Sequence, residues 1–266
     1  MSRFKTPLDV YKILPKTNCG HCAVPTCLTF SVAVIKNEKR LADCPYVDLT
    51  IIEQYDGTIE TPASIEKTRE ETVAQLKEQV PTVDFASRAE RLGGTLNNGS
   101  LVIKCLGKDF AVDARGTIAS QCHTHAWFAI PFLQYVLFGQ GKDISGNWVP
   151  FRELEQGRTW APLFGQRCEK PLKHLADTHT ELFDDLITLF SGTSSENTFD
   201  SDISVVLYPL PKVPILICYW KPEDDLESQL NMFFDDTAEE NLSVESLYAL
   251  GAGIVSMLEA IMQKHR

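Results

Sequence analysis

Four cysteines near the start of the chain restrict what it can fold into more than any other feature: Cys19-Gly-His-Cys22-Ala-Val-Pro-Thr-Cys27, then Cys44 in Asp43-Cys44-Pro45. The pattern is C-x2-C-x4-C-x16-C. Thiols at this density hold an iron–sulfur cluster, hold a zinc ion, or build a disulfide framework. The opening Met-Ser-Arg-Phe-Lys-Thr-Pro has no apolar run behind it, and no stretch reads as the ~18 apolar residues of a membrane span. The expectation is a cytoplasmic chain without membrane contact. Its thiols would stay reduced, which favours a metal centre over disulfides.

The residues between the thiols suggest how they converge. Leu8, Val10, Tyr11, Ile13 and Leu14 make a short apolar helical face that Pro15 ends. Thr17 to Cys22 is turn-rich, and Gly20 permits a tight backbone course. Pro25 suits the first turn of a helix running to about Asn37, with Cys27 in that same turn. A thiolate there lies near unpaired N–H groups and the positive end of the helix dipole. Zinc sites commonly pair two similar knuckles, whereas here three thiols lie within nine residues and the fourth is alone. That arrangement favours a [4Fe–4S] cluster and leaves zinc as the alternative. The plant-type [2Fe–2S] order is the reverse of this one.

Pro7-Leu8-Asp9-Val10-Tyr11-Lys12, Thr17-Asn18-Cys19-Gly20-His21-Cys22, Pro25-Thr26-Cys27 and Asp43-Cys44-Pro45 together resemble a family. It is the small [4Fe–4S] domain that opens the large subunit of the corrinoid iron–sulfur protein of the acetyl-CoA pathway of anaerobes. The resemblance covers about residues 5–55. It implies that Cys19, Cys22, Cys27 and Cys44 are the cluster ligands and that the cluster passes a low-potential electron to cobalamin. A TIM-like barrel and a cobalamin domain follow in that family. A barrel needs about 250 residues, more than remain here, so the cobalamin role does not carry over.

The remainder reads as a second domain, giving a division into residues 1–60 and 61–266. Ser64 is placed to cap a sparse, solvated helix to Val80, and Val83 to Leu92 reads as a second helix ended by Gly93-Gly94. A hairpin is expected from Leu101–Leu106 and Asp109–Asp113. Helices are expected over Cys122–Phe138, Pro171–Phe190 and, capped by Ser243, to about Lys264. Strands are expected at Ser204–Tyr208, Val213–Trp220 and Leu230–Phe234, with a polar loop at Ser191–Asp202. Helices and strands without regular βαβ spacing indicate an α+β fold. Gly146-Asn-Trp148-Val-Pro-Phe151-Arg152, Pro209-x-Pro211, Tyr219-Trp220 and Phe233-Phe234-Asp235 resemble a domain of unknown function found in anaerobes. That likeness covers about residues 80–262 and implies no activity.

Charge supports the same division. Residues 1–60 carry seven basic and seven acidic side chains, so the whole net charge of −11 lies in the remainder. An acidic body lacks the basic footprint of a nucleic-acid binder. Other chemistry is sparse. Cys122-His123-Thr124-His125 are adjacent and point different ways on a helix. Glu223-Asp224-Asp225 and Asp235-Asp236 flank apolar strands and would have to meet on one rim to act together. His174 and His179 are off the spacing that puts two ligands on one helix face. Cys105, Cys168 and Cys218 read as packed thiols. The leading expectation is an electron relay to a redox partner, a corrinoid protein by the resemblance. The alternative is an accessory or maturation protein, with a structural cluster or zinc and a partner-binding second domain.

Overall fold

The computed structural model describes residues 4, 6–36, 38–48, 50–52, 62–120, 126–179, 181–195, 198–223 and 226–264. The chain divides into two compact units, Met1–Glu71 and Thr72–Arg266, with separate buried clusters.

In the first unit, helix α1 (Pro7–Ile13) starts at a reciprocal cap. Asp9 N–H donates to the Thr6 hydroxyl at 3.3 Å, and the Asp9 carboxylate accepts from Thr6 N–H at 3.1 Å. The helix stops where Leu14 turns extended ahead of Pro15. Helix α2 (Cys27–Ile35) packs against it and buries Val10, Leu14, Phe30 and Val34. Each such side chain contributes roughly 1.5–3 kcal/mol relative to leaving it exposed. That is a small core for a unit of this length.

The second unit is reached through α3 (Pro62–Gln79). Ser64, expected as its cap, lies inside the helix, and among its described side chains Leu76 alone is buried. Helix α4 (Phe85–Arg91) is capped by Asp84 and ends at Gly93, whose φ of 70° suits glycine. An antiparallel meander follows: β1 (Gly94–Asn97), β2 (Ser100–Cys105), β3 (Lys108–Val112) and β4 (Ile118–Ser120). Its first two turns are Asn98-Gly99 and Leu106-Gly107. Both residues of each have positive φ, as the twist of a two-residue hairpin requires. The second hairpin was expected. The first was not, although its Asn-Gly pair is a strong turn signal.

A second antiparallel sheet has the order β5-β9-β8-β7-β6. Its strands are β5 (Trp148–Pro150), β6 (Thr193–Ser194), β7 (Ile203–Leu210), β8 (Val213–Trp220) and β9 (Gln229–Asp235). Around it lie α5 (Ala126–Phe138), α6 (Gly157–Phe164), α7 (Lys170–Thr178), α8 (Leu182–Phe190), α9 (Ala238–Asn241) and α10 (Val244–Lys264). Phe151 and Phe164 stack at 4.2 Å, and Phe234 of β9 meets both edge-on at 5.6 and 5.7 Å. Leu247, Leu250, Ile254 and Leu258 recur at helical spacing on α10 and are buried, while Ser243 caps it through Ser246 N–H at 3.4 Å. The fold is α+β.

Two expectations need correction. The helix expected over Pro171–Phe190 is two helices, because Thr178 turns its hydroxyl back to the carbonyls of His174 and Leu175 and His179 is extended. Residues 157–169 were not expected to be helical. They form α6 and a wide helical turn, Gly165–Glu169, held by the burial of Phe164 and Cys168 despite Gly157, Pro162 and Gly165. One helix among the described residues, Val244–Met262, has mean hydropathy of 1.4 and is long enough to cross a membrane. The sequence reading overlooked it; half of that window is packed inside the fold.

The aromatic triad gives a stability prediction. Phe234→Ala removes the edge contact to both partners and should lower unfolding free energy by about 3–5 kcal/mol, read as a lower denaturation midpoint at unchanged slope.

Candidate metal centre

The cysteine loop is shaped by four left-handed residues between α1 and α2: Lys16 (φ 60°), Asn18 (50°), Gly20 (75°) and Ala23 (59°). Only Gly20 takes this conformation without steric cost. Ala23 is held by its N–H bond to the Gly20 carbonyl at 3.0 Å. Pro25 does not enter α2 as expected. Thr26 is the N-cap instead, accepting from Thr29 N–H at 3.0 Å, so Cys27 is the first helical residue. The free N–H of Cys27 donates to the Asn18 side-chain oxygen at 2.8 Å, fastening the loop beside Cys19 to the start of α2. Cys44 closes a short helical turn, Leu41–Asp43, whose entry is fixed by Arg40 N–H on the Asp43 carboxylate at 2.8 Å.

A second tie spans the two cysteine segments. His21 Nδ1 lies 2.7 Å from the Tyr46 hydroxyl, and the rings are 5.5 Å apart. His21 stands between Cys19 and Cys22, and Tyr46 is two residues beyond Cys44. Sequence reasoning passed over Tyr46, for nothing in its neighbourhood marks a partner 25 residues away.

All seven described cysteines are free. Cys22, Cys27 and Cys44 are 8%, 6% and 5% exposed and share one buried cluster with Val10, Leu14, Phe30, Leu41 and Val47. Cys19 is exposed. A backbone bond from His21, then the Thr17 hydroxyl, hold its thiol below the usual range. Among the described residues, no three His, Cys, Asp or Glu side chains are grouped closely enough to hold a metal ion as they stand. The donor set nonetheless fits a soft metal centre: four free thiols, three behind an apolar wall and the fourth on the open side of a strained loop. A site of this kind draws its ligands together on binding.

Among the described residues, the other candidates do not assemble. Cys122, His123, Thr124 and His125 lie outside the described residues, as do Asp224 and Asp225. Asp235 is fully buried and accepts from the N–H groups of Ser145, Gly146 and Thr237 and from the Thr237 hydroxyl. Burial pushes its carboxyl up, but these bonds outweigh it and leave it below the usual range. Glu223 lies beyond the Trp220–Gln229 pair, whereas Asp235 ends the other side of β9 opposite Trp148. Among the described residues, Glu223 and the Asp235-Asp236 pair therefore do not meet on one rim. His174 is exposed on α7 and His179 ends that helix. Cys105, Cys168 and Cys218 are fully packed. Burial raises all three thiols, Cys168 to about 12.

With this geometry in place, comparison with known proteins divides the chain as its cores do. A family model described as "Putative Fe-S cluster" matches residues 14–46. One described as "Domain of unknown function (DUF3786)" matches residues 84–257. The second spans more than half the chain, which therefore belongs to the DUF3786 family.

Over its N-terminal stretch the chain is 42% identical, across 57 residues, to the corrinoid/iron-sulfur protein large subunit of Moorella thermoacetica, covering 21% of this chain and 13% of that protein. It is 44% identical over 43 residues to the acetyl-CoA decarbonylase/synthase complex subunit gamma 1 of Methanosarcina thermophila, covering 16% and 9%. It is 50% identical over 40 residues to the gamma subunit of Methanothermobacter thermautotrophicus, covering 15% and 9%. The match is thus a small part of each relative's length. No solved structure matches. The N-terminal segment is of the iron–sulfur type.

Exposure and thiol acidity separate Cys19 from the rest. In metal-free protein, brief alkylation near neutral pH should modify Cys19 well ahead of Cys22, Cys27, Cys44, Cys105, Cys168 and Cys218, and its rate should rise with pH from a lower onset than for a free thiol. Peptide mass spectrometry reads this directly; equal labelling of Cys19 and Cys168 would contradict the geometry.

Proposed function

We propose that Cys19, Cys22, Cys27 and Cys44 hold a [4Fe–4S] cluster and that the chain relays single electrons at low potential to a protein partner. The observation that carries this reading is the unequal placement of the thiols, three within one apolar cluster and one exposed. When bound, the cluster supplies a one-electron carrier whose potential follows net charge, hydrogen bonding and exposure. The chain's own residues do the rest. Val10, Leu14, Phe30, Leu41 and Val47 keep water from three ligands. Asn18 holds the loop on α2, and the exposed Cys19 edge is the route for exchange.

Lys16 on this loop and Lys36 at the far end of α2 are exposed, and Lys12 carries a screened pair with Asp9 at 3.3 Å. With Lys39 they suit a partner of acidic surface. The name of the similar Moorella thermoacetica protein supports a corrinoid-containing partner. We extend the proposal to the division of the chain: residues 1–60 fold with the cluster and residues 61–266 fold alone, since the larger core takes no side chain from the described residues among the first sixty.

Anaerobically isolated protein should be brown and hold about four iron per chain. Serine at Cys19, Cys22, Cys27 or Cys44 should lower iron content, while Cys168→Ser should not. Stoichiometric zinc without iron would overturn the cluster and favour a structural metal. Deleting residues 1–60 should leave a cooperatively melting remainder, and aggregation of that product would mean a shared core. Electron exchange with an acidic partner should slow as salt rises through the range where the Debye length falls below about 10 Å; a salt-independent rate would remove the charge-guided docking.

A further inference from the structure

The four thiols are held in place by unlike means. Cys19 and Cys27 share one fastening, because the Asn18 side chain beside Cys19 accepts from Cys27 N–H at 2.8 Å. Cys22 lies between them on the same loop, whose bend is set by Ala23 N–H on the Gly20 carbonyl at 3.0 Å. Cys44 arrives from beyond α2, with sixteen residues between it and Cys27. Its own turn is closed locally, by Cys44 N–H on the Leu41 carbonyl at 3.1 Å and Arg40 N–H on the Asp43 carboxylate at 2.8 Å. Neither bond reaches the loop that carries the other three thiols.

Two kinds of contact do. On the inner side, Leu41 and Val47 pack in one cluster with Val10, Leu14 and Phe30. Such contacts are non-directional, so they draw the segment inward without fixing where it stops. On the outer side, His21 Nδ1 shares a hydrogen bond with the Tyr46 hydroxyl at 2.7 Å, and the two rings lie 5.5 Å apart with a tilt of 31°. Among the described residues this is the one hydrogen bond between residues 41–47 and residues 14–27. His21 stands between Cys19 and Cys22, and Tyr46 stands two residues past Cys44, so the bond joins the two ligand-bearing segments directly. It closes a stretch of 25 residues, where a single directional contact works against the entropy of a long loop. Both side chains are exposed, so core packing does not account for their meeting.

We propose that His21 and Tyr46 are positioning residues for the metal centre. Their bond holds the Cys44 segment against the Cys19–Cys22 turn and slows the opening through which metal is lost. Parting Cys44 from the other thiols means breaking this pair first. The proposal rests on the reading of the four thiols as one metal centre, and not on which metal they hold.

The test is the rate of metal release from the full-length, anaerobically isolated chain into excess chelator, with the metal identified beforehand by elemental analysis. Tyr46→Phe keeps the ring and removes the hydroxyl. It should speed release about two- to tenfold, the range of one net hydrogen bond. His21→Leu should act alike, and the double variant should release no faster than the quicker single one, since both changes remove the same interaction. His21→Asn carries a polar atom at the same branch of the side chain, able to donate or accept, and should return release to within about twofold of the parent. A general loosening of the unit would instead add across the two positions and would not be rescued by asparagine. Zinc in place of iron, with the two positions still coupled, overturns the cluster and upholds the positioning pair. Iron, with Tyr46→Phe releasing at the parent rate or with additive effects, overturns the pair and leaves the cluster standing. A parent chain that retains no metal overturns both.

Discussion

Three thiols inside one small apolar cluster are the constraint on which the N-terminal unit rests. A buried thiol is comfortable only when neutral or when its charge is shared with a metal, because an isolated thiolate there would lose its hydration without return. Cys22, Cys27 and Cys44 also occupy positions that valine or leucine would fill in an ordinary core. Around them the described residues up to Ile52 add helices α1 and α2, the Leu41–Asp43 turn, a strained loop and a handful of buried apolar side chains. The unit's stability is accordingly tied to what the thiols are bonded to. This is the physical logic of small metal-stapled domains.

The larger unit is built on the opposite principle, with an extensive apolar core and polar groups satisfied from within. Arg88 donates to the carbonyls of Leu137 and Gly139 at the end of α5, Tyr135 donates to the carbonyl of Leu92, and Asp235 gathers the 145–147 loop. No buried side-chain nitrogen or oxygen among the described residues lacks a partner.

Much of this was readable before the structure. Apolar runs with β-branched residues marked β7 and β8, a run with paired aromatics marked β9, and the periodicity of Leu247, Leu250, Ile254 and Leu258 marked α10, because burial on one face leaves a period in the sequence. What escaped notice follows a physical pattern too. Helix α6 has two flanking glycines and an internal proline, so its local signals oppose the state that the packing of Phe164 imposes. The break after Thr178 leaves no gap in the apolar spacing, since Leu182 and Leu186 resume near the same phase. In the cysteine loop, residue types and spacing announced the thiols, but the bonds from Asn18 to Cys27 and from His21 to Tyr46 depend on side-chain directions that no pattern encodes.

The deep thiols of the second unit bear on how iron finds its way to this chain. Cys105 and Cys168 are sealed in the main core and Cys218 on the far face of the sheet, all held in the protonated form by burial. A protonated, enclosed sulfur is neither a competitor for incoming iron nor a ready target for oxidants. Under the cluster reading proposed above, the described thiol that stands open to incoming iron is Cys19, accessible and held below the usual thiol range.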